Sequence, residues 1–198
     1  MIKNLYIITL FLFFIPISLN SSEIFDLEIE GISIGESALK ITNRHKIIEE
    51  GKKNAYQYQY LKEPNKFGEI YILENDDFEI YDGISFYVNM SDPNFKIFML
   101  RGLIWLDINS CLSKRNEIKK DIENILGEFE KFETVTFAKQ DELNESKYHH
   151  LNYTLASGGF VNLLCTDWSK NMKEKFNYSS GLSVAIFTEE VNAWLNNY

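Results

Sequence analysis

The chain has 198 residues, 45% of them hydrophobic and 15% aromatic, and its formal net charge at pH 7 is −9. This apolar content is enough to build a core, so the composition excludes an intrinsically disordered chain, and the length fits a single domain. The acidic balance argues against nucleic acid and anionic membrane surfaces as partners, because both attract clustered Lys and Arg.

The first 22 residues, Met1–Ser22, have the composition of an export signal. Lys3 supplies a short positive region, the apolar run Leu5–Ile17 follows, and small polar residues end the segment. The run is about 14 residues long, which is short for a membrane span. We therefore predict a cleaved signal peptide, with an uncleaved anchor as the alternative. Residues 23–198 are then one periplasmic or secreted globular domain, with no membrane insertion after cleavage.

The first half of the mature chain predicts one helix and four strands. Alternating apolar and acidic residues over Phe25–Ile34 predict a half-buried strand. Apolar residues at helical spacing predict a helix from Ser37 to about Glu50, which Gly51 ends as its C-terminal stop. Three further strands are separated by turns, and Gly102 marks a bend in the last: Phe67–Leu73, Phe78–Val88 and Phe95–Ile108.

Three tyrosines, Tyr56, Tyr58 and Tyr60, alternate with glutamines between that helix and the second strand. A period of two places the three rings on one face of an extended segment. The ordinary interpretation is the packed aromatic face of an edge strand, and the functional alternative is a stacking surface for a sugar or a peptide. We count the three tyrosines, together with Trp168 further along the chain, as binding candidates.

The second half predicts an amphipathic helix, a hairpin, and a closing strand and helix. The first helix spans about Cys111–Phe129 and takes its N-cap from Asn109 or Ser110. Alternating residues on both sides of a glycine-containing turn are typical of a hairpin. The remaining elements are a strand at Phe132–Phe137, hairpin strands at His149–Leu155 and Val161–Cys165, a helical or irregular segment at Trp168–Phe176, a strand at Leu182–Phe187 and a terminal helix capped by Thr188.

The order of these elements indicates the fold class. Consecutive strands joined by short turns favour antiparallel pairing. We therefore predict an α+β fold in which helices pack on one face of a largely antiparallel sheet. The order also admits two αβββ units, over about residues 37–108 and 111–168.

The two cysteines, Cys111 and Cys165, both fall on predicted apolar faces. In an exported chain an even count favours a disulfide. This bond would close a loop of about 55 residues and stabilise the fold by about 4 kcal/mol in the chain-entropy model. Two buried free thiols are the first alternative. A catalytic thiol is the second, because His149 and His150 lie on the strand expected to pair with that of Cys165.

The sequence names no catalytic residue, metal ligand or cofactor. Motifs of nucleotide binding, serine hydrolysis and zinc proteolysis do not occur. His149 and His150 are adjacent on a strand and point to opposite faces, so they are poorly placed to chelate one ion. Asn75–Glu79 is acidic but lacks the ligand spacing of a calcium loop.

Four segments carry a resemblance to known proteins: Glu30–Ser37, Tyr81–Phe86, Cys111 after the predicted strand Phe95–Ile108, and Cys165–Ser169. They resemble a family of uncharacterised small exported bacterial proteins, and this resemblance implies export and no known activity. Ile32–Gly35 ahead of a helix also resembles the small envelope modules of the β-lactamase-inhibitor-protein type. The second αβββ unit lacks that motif.

These observations predict an exported, non-enzymatic domain that binds a protein or another component of the cell envelope. The alternative is a small envelope hydrolase whose active site is assembled from scattered carboxylates and histidines. A binding domain should expose an aromatic or apolar patch, whereas an enzyme should have a pocket of convergent polar groups with shifted pKa values.

Overall fold

The computed structural model describes residues 23–57, 66–73 and 76–196, and the predicted signal peptide lies outside the described residues. The strands in those ranges are β1 (Glu28–Ile29), β2 (Ile32–Ser33), β3 (Phe67–Leu73), β4 (Gly83–Asn89), β5 (Ile97–Trp105), β6 (Phe129–Phe137), β7 (Lys147–Leu155), β8 (Phe160–Asp167) and β9 (Gly181–Phe187). The helices are α1 (Arg44–Gln57), α2 (Ile108–Ile125), α3 (Lys170–Phe176) and α4 (Glu189–Leu195). None of these helices is long and apolar enough to cross a membrane.

Strands β3 to β9 form one antiparallel sheet in the order β3-β4-β5-β9-β8-β7-β6, and β1 pairs with β2 in a separate hairpin. This arrangement confirms the predicted α+β fold. The connectivity αβββ occurs twice, as α1-β3-β4-β5 and as α2-β6-β7-β8. Strand β9 is the last of the strands along the chain, yet it lies inside the sheet and pairs with the third strand of each unit, β5 and β8.

The sheet has two faces of opposite character, because successive residues of a strand point to opposite sides. One face, here called the helix face, is buried under α1, α2 and the β1–β2 hairpin. The strand register aligns a buried apolar row across it, made of Ile70, Phe86, Leu100, Ile186, Val161 and Tyr153. The other face, here called the open face, carries the neighbouring row Tyr71, Ser85, Arg101, Ala185, Asn162, Asn152 and Phe132.

The disulfide between Cys111 and Cys165 joins the first turn of α2 to β8 on the helix face. The two Cα atoms are 5.9 Å apart, and both side chains are fully buried. The predicted pairing is therefore confirmed, and neither cysteine is a free thiol. The bond fixes α2 against the sheet at the point where the second αβββ unit begins.

Helix α4 packs on the open face, which differs from the prediction that helices lie on one face only. Thr188 caps α4 directly after β9, as predicted, and its backbone N–H bonds to the carbonyl of Phe98. The helix turns Val191 and Trp194 towards the sheet, where the Trp194 ring lies 5.2 Å from the Phe67 ring. Phe67 lies on the opposite side of β3 from Ile70, so this second apolar cluster covers only one end of the open face.

The N-terminal segment predicted as one strand is two short strands joined by a tight turn. Glu30 and Gly31 form the turn, with φ values of 52° and 69°. Positive φ at both central positions is the geometry of a type I′ hairpin turn. The apolar positions shift by one residue at Gly31, from Leu27 and Ile29 to Ile32 and Ile34, so the pattern carries a mark of the reversal that the one-strand prediction overlooked.

Helix α1 was predicted to end at Gly51, but it continues through this residue to Gln57. Gly51 lies against β3 of the sheet, and a Cβ at this position would come within 2.9 Å of the Met90 methyl group. The glycine thus allows close approach of the helix to the sheet rather than ending the helix. Tyr56 consequently belongs to a helix and not to an extended segment, whereas Tyr58 and Tyr60 lie outside the described residues.

Several further local predictions need correction. The helix predicted over Cys111–Phe129 spans Ile108–Ile125, and Phe129 instead begins β6. The strand predicted from Phe78 begins only at Gly83. Gly102 does not bend β5, since it pairs with Ile84 on one side and Val184 on the other in unbroken register. The N-cap of α2 is Asp107 and not Asn109 or Ser110. Its carboxylate accepts the N–H groups of both those residues, at 2.9 and 3.1 Å.

Candidate functional site

Four aromatic side chains meet at one end of the sheet. Trp168 follows directly after β8, and its ring lies 5.5 Å from that of Tyr148 on β7 and 4.6 Å from that of Tyr178. Phe176, at the end of α3, stacks on Tyr178 at 5.5 Å with an interplanar angle of 27°. Tyr148, Trp168, Phe176 and Tyr178 thus form a continuous surface, here called the aromatic patch.

The local sequence determines how α3 presents its part of the patch. Ser169 caps the start of α3 by accepting the N–H of Met172. Asn177 ends the helix in the left-handed conformation, with φ of 54°, a geometry that asparagine tolerates better than most residues. The chain therefore reverses after Phe176, and Tyr178 returns over Trp168.

A buried polar network supports the patch from below. The Asp141 carboxylate accepts the N–H of Ser146 at 2.8 Å and its hydroxyl at 2.5 Å. The Ser146 oxygen in turn accepts the N–H of Ser169, at 2.9 Å. The Ser146 hydroxyl is the main cause of a lowered pKa for Asp141, so the acceptor stays charged. This network holds the β6–β7 loop against the start of α3.

Exposed apolar side chains are frequent on β6, in the β6–β7 loop and at the end of α3. Among the described residues twelve large hydrophobic side chains are exposed, and six of them lie on β6, in the β6–β7 loop, or at and after the end of α3. Phe176 is 47% exposed and Tyr178 39%. The other four are Phe132, Val135, Phe137 and Leu143. Phe176 and Tyr178 therefore add exposed apolar surface to the patch itself, whereas Val135 and Phe137 point to the opposite, helix face of the sheet.

The polar groups beside the patch are uncharged or peripheral. The His150 ring lies 6.0 Å from that of Tyr148, and burial, followed by the neighbouring His149, lowers its pKa. His150 is therefore neutral at physiological pH. Gln140 donates a hydrogen bond of 2.6 Å to the Tyr148 hydroxyl. The ammonium group of Lys175 lies 4.9 Å from the centre of the Phe176 ring, at the rim.

A second polar cluster lies on the open face near α4. Arg101 donates hydrogen bonds to Glu69 (2.6 Å), Tyr71 (2.8 Å) and Ser85 (2.9 Å), and Glu69 is fully buried. Burial alone would lower the pKa of Arg101, but Tyr71 and Glu69 outweigh it and raise the pKa above its ordinary value. The guanidinium of Arg101 thus stays charged, and its hydrogen bonds to Glu69, Tyr71 and Ser85 fix its position. The sequence analysis did not name this cluster, although a lone acid and a lone base inside two apolar strands are its signal.

An apolar cleft of about 360 Å³ lies on the other side of the molecule, between α2 and the β1–β2 hairpin. Its walls include Ile29, Ile80, Ile118 and Ile125. Charged residues of α2, such as Lys114, also line the cleft. Within the described ranges, His, Cys, Asp and Glu side chains do not gather in a group of three or more that could hold a metal ion.

The predicted binding residues are only partly brought together. Trp168 lies in the aromatic patch, Tyr56 lies on α1, and Tyr58 and Tyr60 fall outside the described residues. The sequence analysis missed Tyr148, Phe176 and Tyr178. Sheet pairing and the chain reversal at Asn177 bring these rings together. The spacing of the residues along the sequence predicts neither the pairing nor the reversal.

Comparison with protein-family models, with curated proteins and with solved structures finds no match. The resemblances to small exported bacterial proteins and to envelope modules therefore stay predictions.

Proposed function

We propose that the chain is an exported, non-enzymatic domain that binds a protein of the cell envelope through the aromatic patch. Two features support export: the apolar head that begins with Lys3, and the Cys111–Cys165 disulfide, because such bonds persist in oxidising compartments. The observation that carries the binding function is the exposure of Phe176 and Tyr178 at one end of a continuous aromatic surface.

The geometry of the rings favours a protein over a glycan as ligand. A sugar stacks on an open ring face, but the Trp168 ring contacts the rings of both Tyr148 and Tyr178 and is only partly exposed. The patch is an uneven apolar surface, and Tyr, Trp and Phe are the residues enriched at the centres of protein interfaces. The acidic net charge of the chain also disfavours an anionic ligand.

The shifted pKa values favour binding over hydrolysis. Among the described residues five carboxyl groups have a shifted pKa, and each shift is downward: Glu30, Glu36, Asp107, Glu123 and Asp141. A carboxyl acting as a general acid near neutral pH needs the opposite shift. Hydrogen bonds hold these five groups in their ordinary charged form, as acceptors that fix loops and helix ends.

The test is site-specific crosslinking followed by measured binding. A benzoylphenylalanine residue is placed at Phe176 or, as a matched control, at Phe25, whose side chain is 45% exposed elsewhere on the molecule. Cells that produce the chain are irradiated and the adducts are identified by mass spectrometry. We expect one protein adduct at position 176 and none at position 25.

Titration calorimetry with the purified adduct protein then gives the affinity. We expect Phe176→Ala and Tyr178→Ala to weaken binding about tenfold or more, as for hot-spot residues, and Phe25→Ala to leave it unchanged. Adducts with glycan or lipid, or equal binding by all three variants, would show that the proposed ligand class or surface is wrong.

A further inference from the structure

Strand β6 forms one edge of the sheet. All nine of its residues pair with β7 in unbroken register, from Phe129 opposite Leu155 to Phe137 opposite Lys147. Within the described residues no strand pairs with its other side. Edge strands are usually protected by a proline, a bulge or charged side chains. Strand β6 has no proline and no bulge, and its protection is limited to three charged residues, Glu130, Lys131 and Glu133. The strand therefore offers a row of backbone groups to another strand.

The geometry of self-pairing limits the registers that two copies can adopt. Two β6 strands that pair antiparallel are related by a two-fold axis perpendicular to the sheet, so both helix faces lie on the same side. Each residue then faces a residue of the same sheet face. The axis passes between the two copies of one central residue, which therefore face each other. Each register is named here by that central residue.

We propose that two copies of the chain pair through β6 in the register centred on Phe132, forming a dimer with one continuous sheet. In this register Phe132 faces Phe132 of the second copy, and Lys131 faces Glu133. Phe129 faces Val135, so apolar groups also meet. Aromatic pairs and opposite charges directly across a strand pair both stabilise it. The exposed Phe132 and Val135 side chains, at 63% and 55%, gain a partner in this way.

The ion pairs of α2 extend the charge complementarity across the proposed contact. Lys131 already bonds to Glu123 at 3.0 Å, and Arg115 bonds to Glu133 at 2.5 Å. All four side chains lie on the helix-face side of the edge. In the dimer they form a line of alternating sign: Glu123 and Lys131 of one copy, then Glu133 and Arg115 of the other.

Other registers lack this complementarity. Centring on Lys131 or on Glu133 sets two like charges face to face, which destabilises a strand pair. Centring on Thr134 places Lys131 opposite Phe137. A second copy is therefore a better occupant of this edge, in one register, than a peptide of arbitrary sequence. The dimer does not rest on the function proposed above, because the aromatic patch involves β7 and α3 and not the edge of β6.

Charge reversal tests the register. The mass of the purified chain is measured by sedimentation velocity and light scattering from about 1 to about 300 µM. We expect a dimer that Lys131→Glu and Glu133→Lys each weaken about tenfold or more, since each variant turns two attractive pairs into repulsive ones. The double variant, Lys131→Glu with Glu133→Lys, should recover part of the lost affinity, because the cross-strand pairs attract again while the reversed charges now face Glu123 and Arg115 within each copy. Glu130→Lys is the matched control, because it adds the same charge on the other sheet face and should change little.

Cysteine crosslinking provides an independent readout. Under mild oxidation Phe132→Cys should yield a covalent dimer, because position 132 faces itself. Thr134→Cys alone should not, but an equimolar mixture of Thr134→Cys with Glu130→Cys should, because these positions face each other. Circular dichroism confirms that each variant is folded. A monomer at every concentration, no restoration by the double charge reversal, or equal crosslinking by Phe132→Cys and Thr134→Cys would overturn the proposal.

Discussion

The carboxylate of Glu30 lies 2.7 Å from the backbone nitrogen of Tyr81 and accepts its N–H, together with those of Glu79 at 2.9 Å and Ile80 at 2.8 Å. Glu30 is itself a turn residue with positive φ, so a strained backbone position presents this side chain. Burial alone would raise the pKa of the carboxyl, but the three donors outweigh it and lower the pKa. One side chain thus fixes the segment that leads into β4.

We expect Glu30→Gln to lower the free energy of unfolding by about 1–2 kcal/mol near neutral pH, because an amide oxygen accepts these bonds without the strengthening charge. The deficit should shrink in acid. Folding lowers this pKa, so the carboxylate stabilises the fold fully above its ordinary pKa and loses that effect as the pH falls through the lowered value. Urea unfolding from about pH 7 to pH 3 measures this dependence. The exposed neighbour Glu28→Gln is the control, and a deficit independent of pH would contradict the assignment.

Gly102 should resist enlargement although it lies in a regular strand. A Cβ at this position would enter the Tyr81 ring, which packs directly on the glycine. Burial, followed by the charge of Glu30, raises the pKa of Tyr81 to about 12, consistent with an enclosed ring. We expect Gly102→Ala to cost about 1–3 kcal/mol. A double-mutant cycle with Tyr81→Ala should show that the two losses are not additive. Simple additivity would mean that the ring is not what excludes the methyl group.

The ion pair between the buried Glu69 and the partly exposed Arg101 should be costly to break on one side only. We expect Arg101→Leu to destabilise the chain by about 3–5 kcal/mol, because it leaves a buried carboxylate without its main countercharge. Adding Glu69→Leu should recover part of that loss. Arg44→Leu is the control: this exposed arginine lies over the Phe95 ring at 4.8 Å and should cost less than about 1 kcal/mol. Thermal and urea unfolding compare the four chains, and a double variant weaker than Arg101→Leu would refute the account.

The disulfide should make a large contribution to stability. We expect the paired change of Cys111→Ala and Cys165→Ala to lower the free energy of unfolding by about 2–4 kcal/mol. The bond spans 54 residues, so its removal frees a long loop in the unfolded state. Guanidinium unfolding of both chains, with free thiols counted before and after denaturation, provides the measurement. Equal midpoints for the two chains would show that the bond is dispensable.

Sequence patterns predicted the parts of the fold that depend on local periodicity. Alternation located β3 at its observed bounds, and the glycine-containing turn after Leu155 correctly indicated the β7–β8 hairpin. These features succeed because one buried face imposes a period of two or 3.6 on the chain.

Glycine signals were ambiguous because two physical causes share them. Gly31 is needed for positive φ, whereas Gly51 and Gly102 are needed for close packing against Met90 and Tyr81. The sequence does not distinguish the two uses, since the second depends on a partner distant along the chain. The aromatic patch escaped prediction for the same reason, because strand register and a helix end assemble it.

The position of β9 constrains the order of assembly during synthesis. The two three-stranded units are joined into one sheet only by β9, residues 181–187, which pairs with β5 on one side and β8 on the other. Earlier in synthesis one edge of β5 and one edge of β8 have no strand partner. Pairing between strands that are distant along the chain is slow compared with local pairing. The seven-stranded sheet should therefore stay incomplete until nearly all of the chain has left the ribosome. A chain that stops before Gly181 should lack a cooperative unfolding transition.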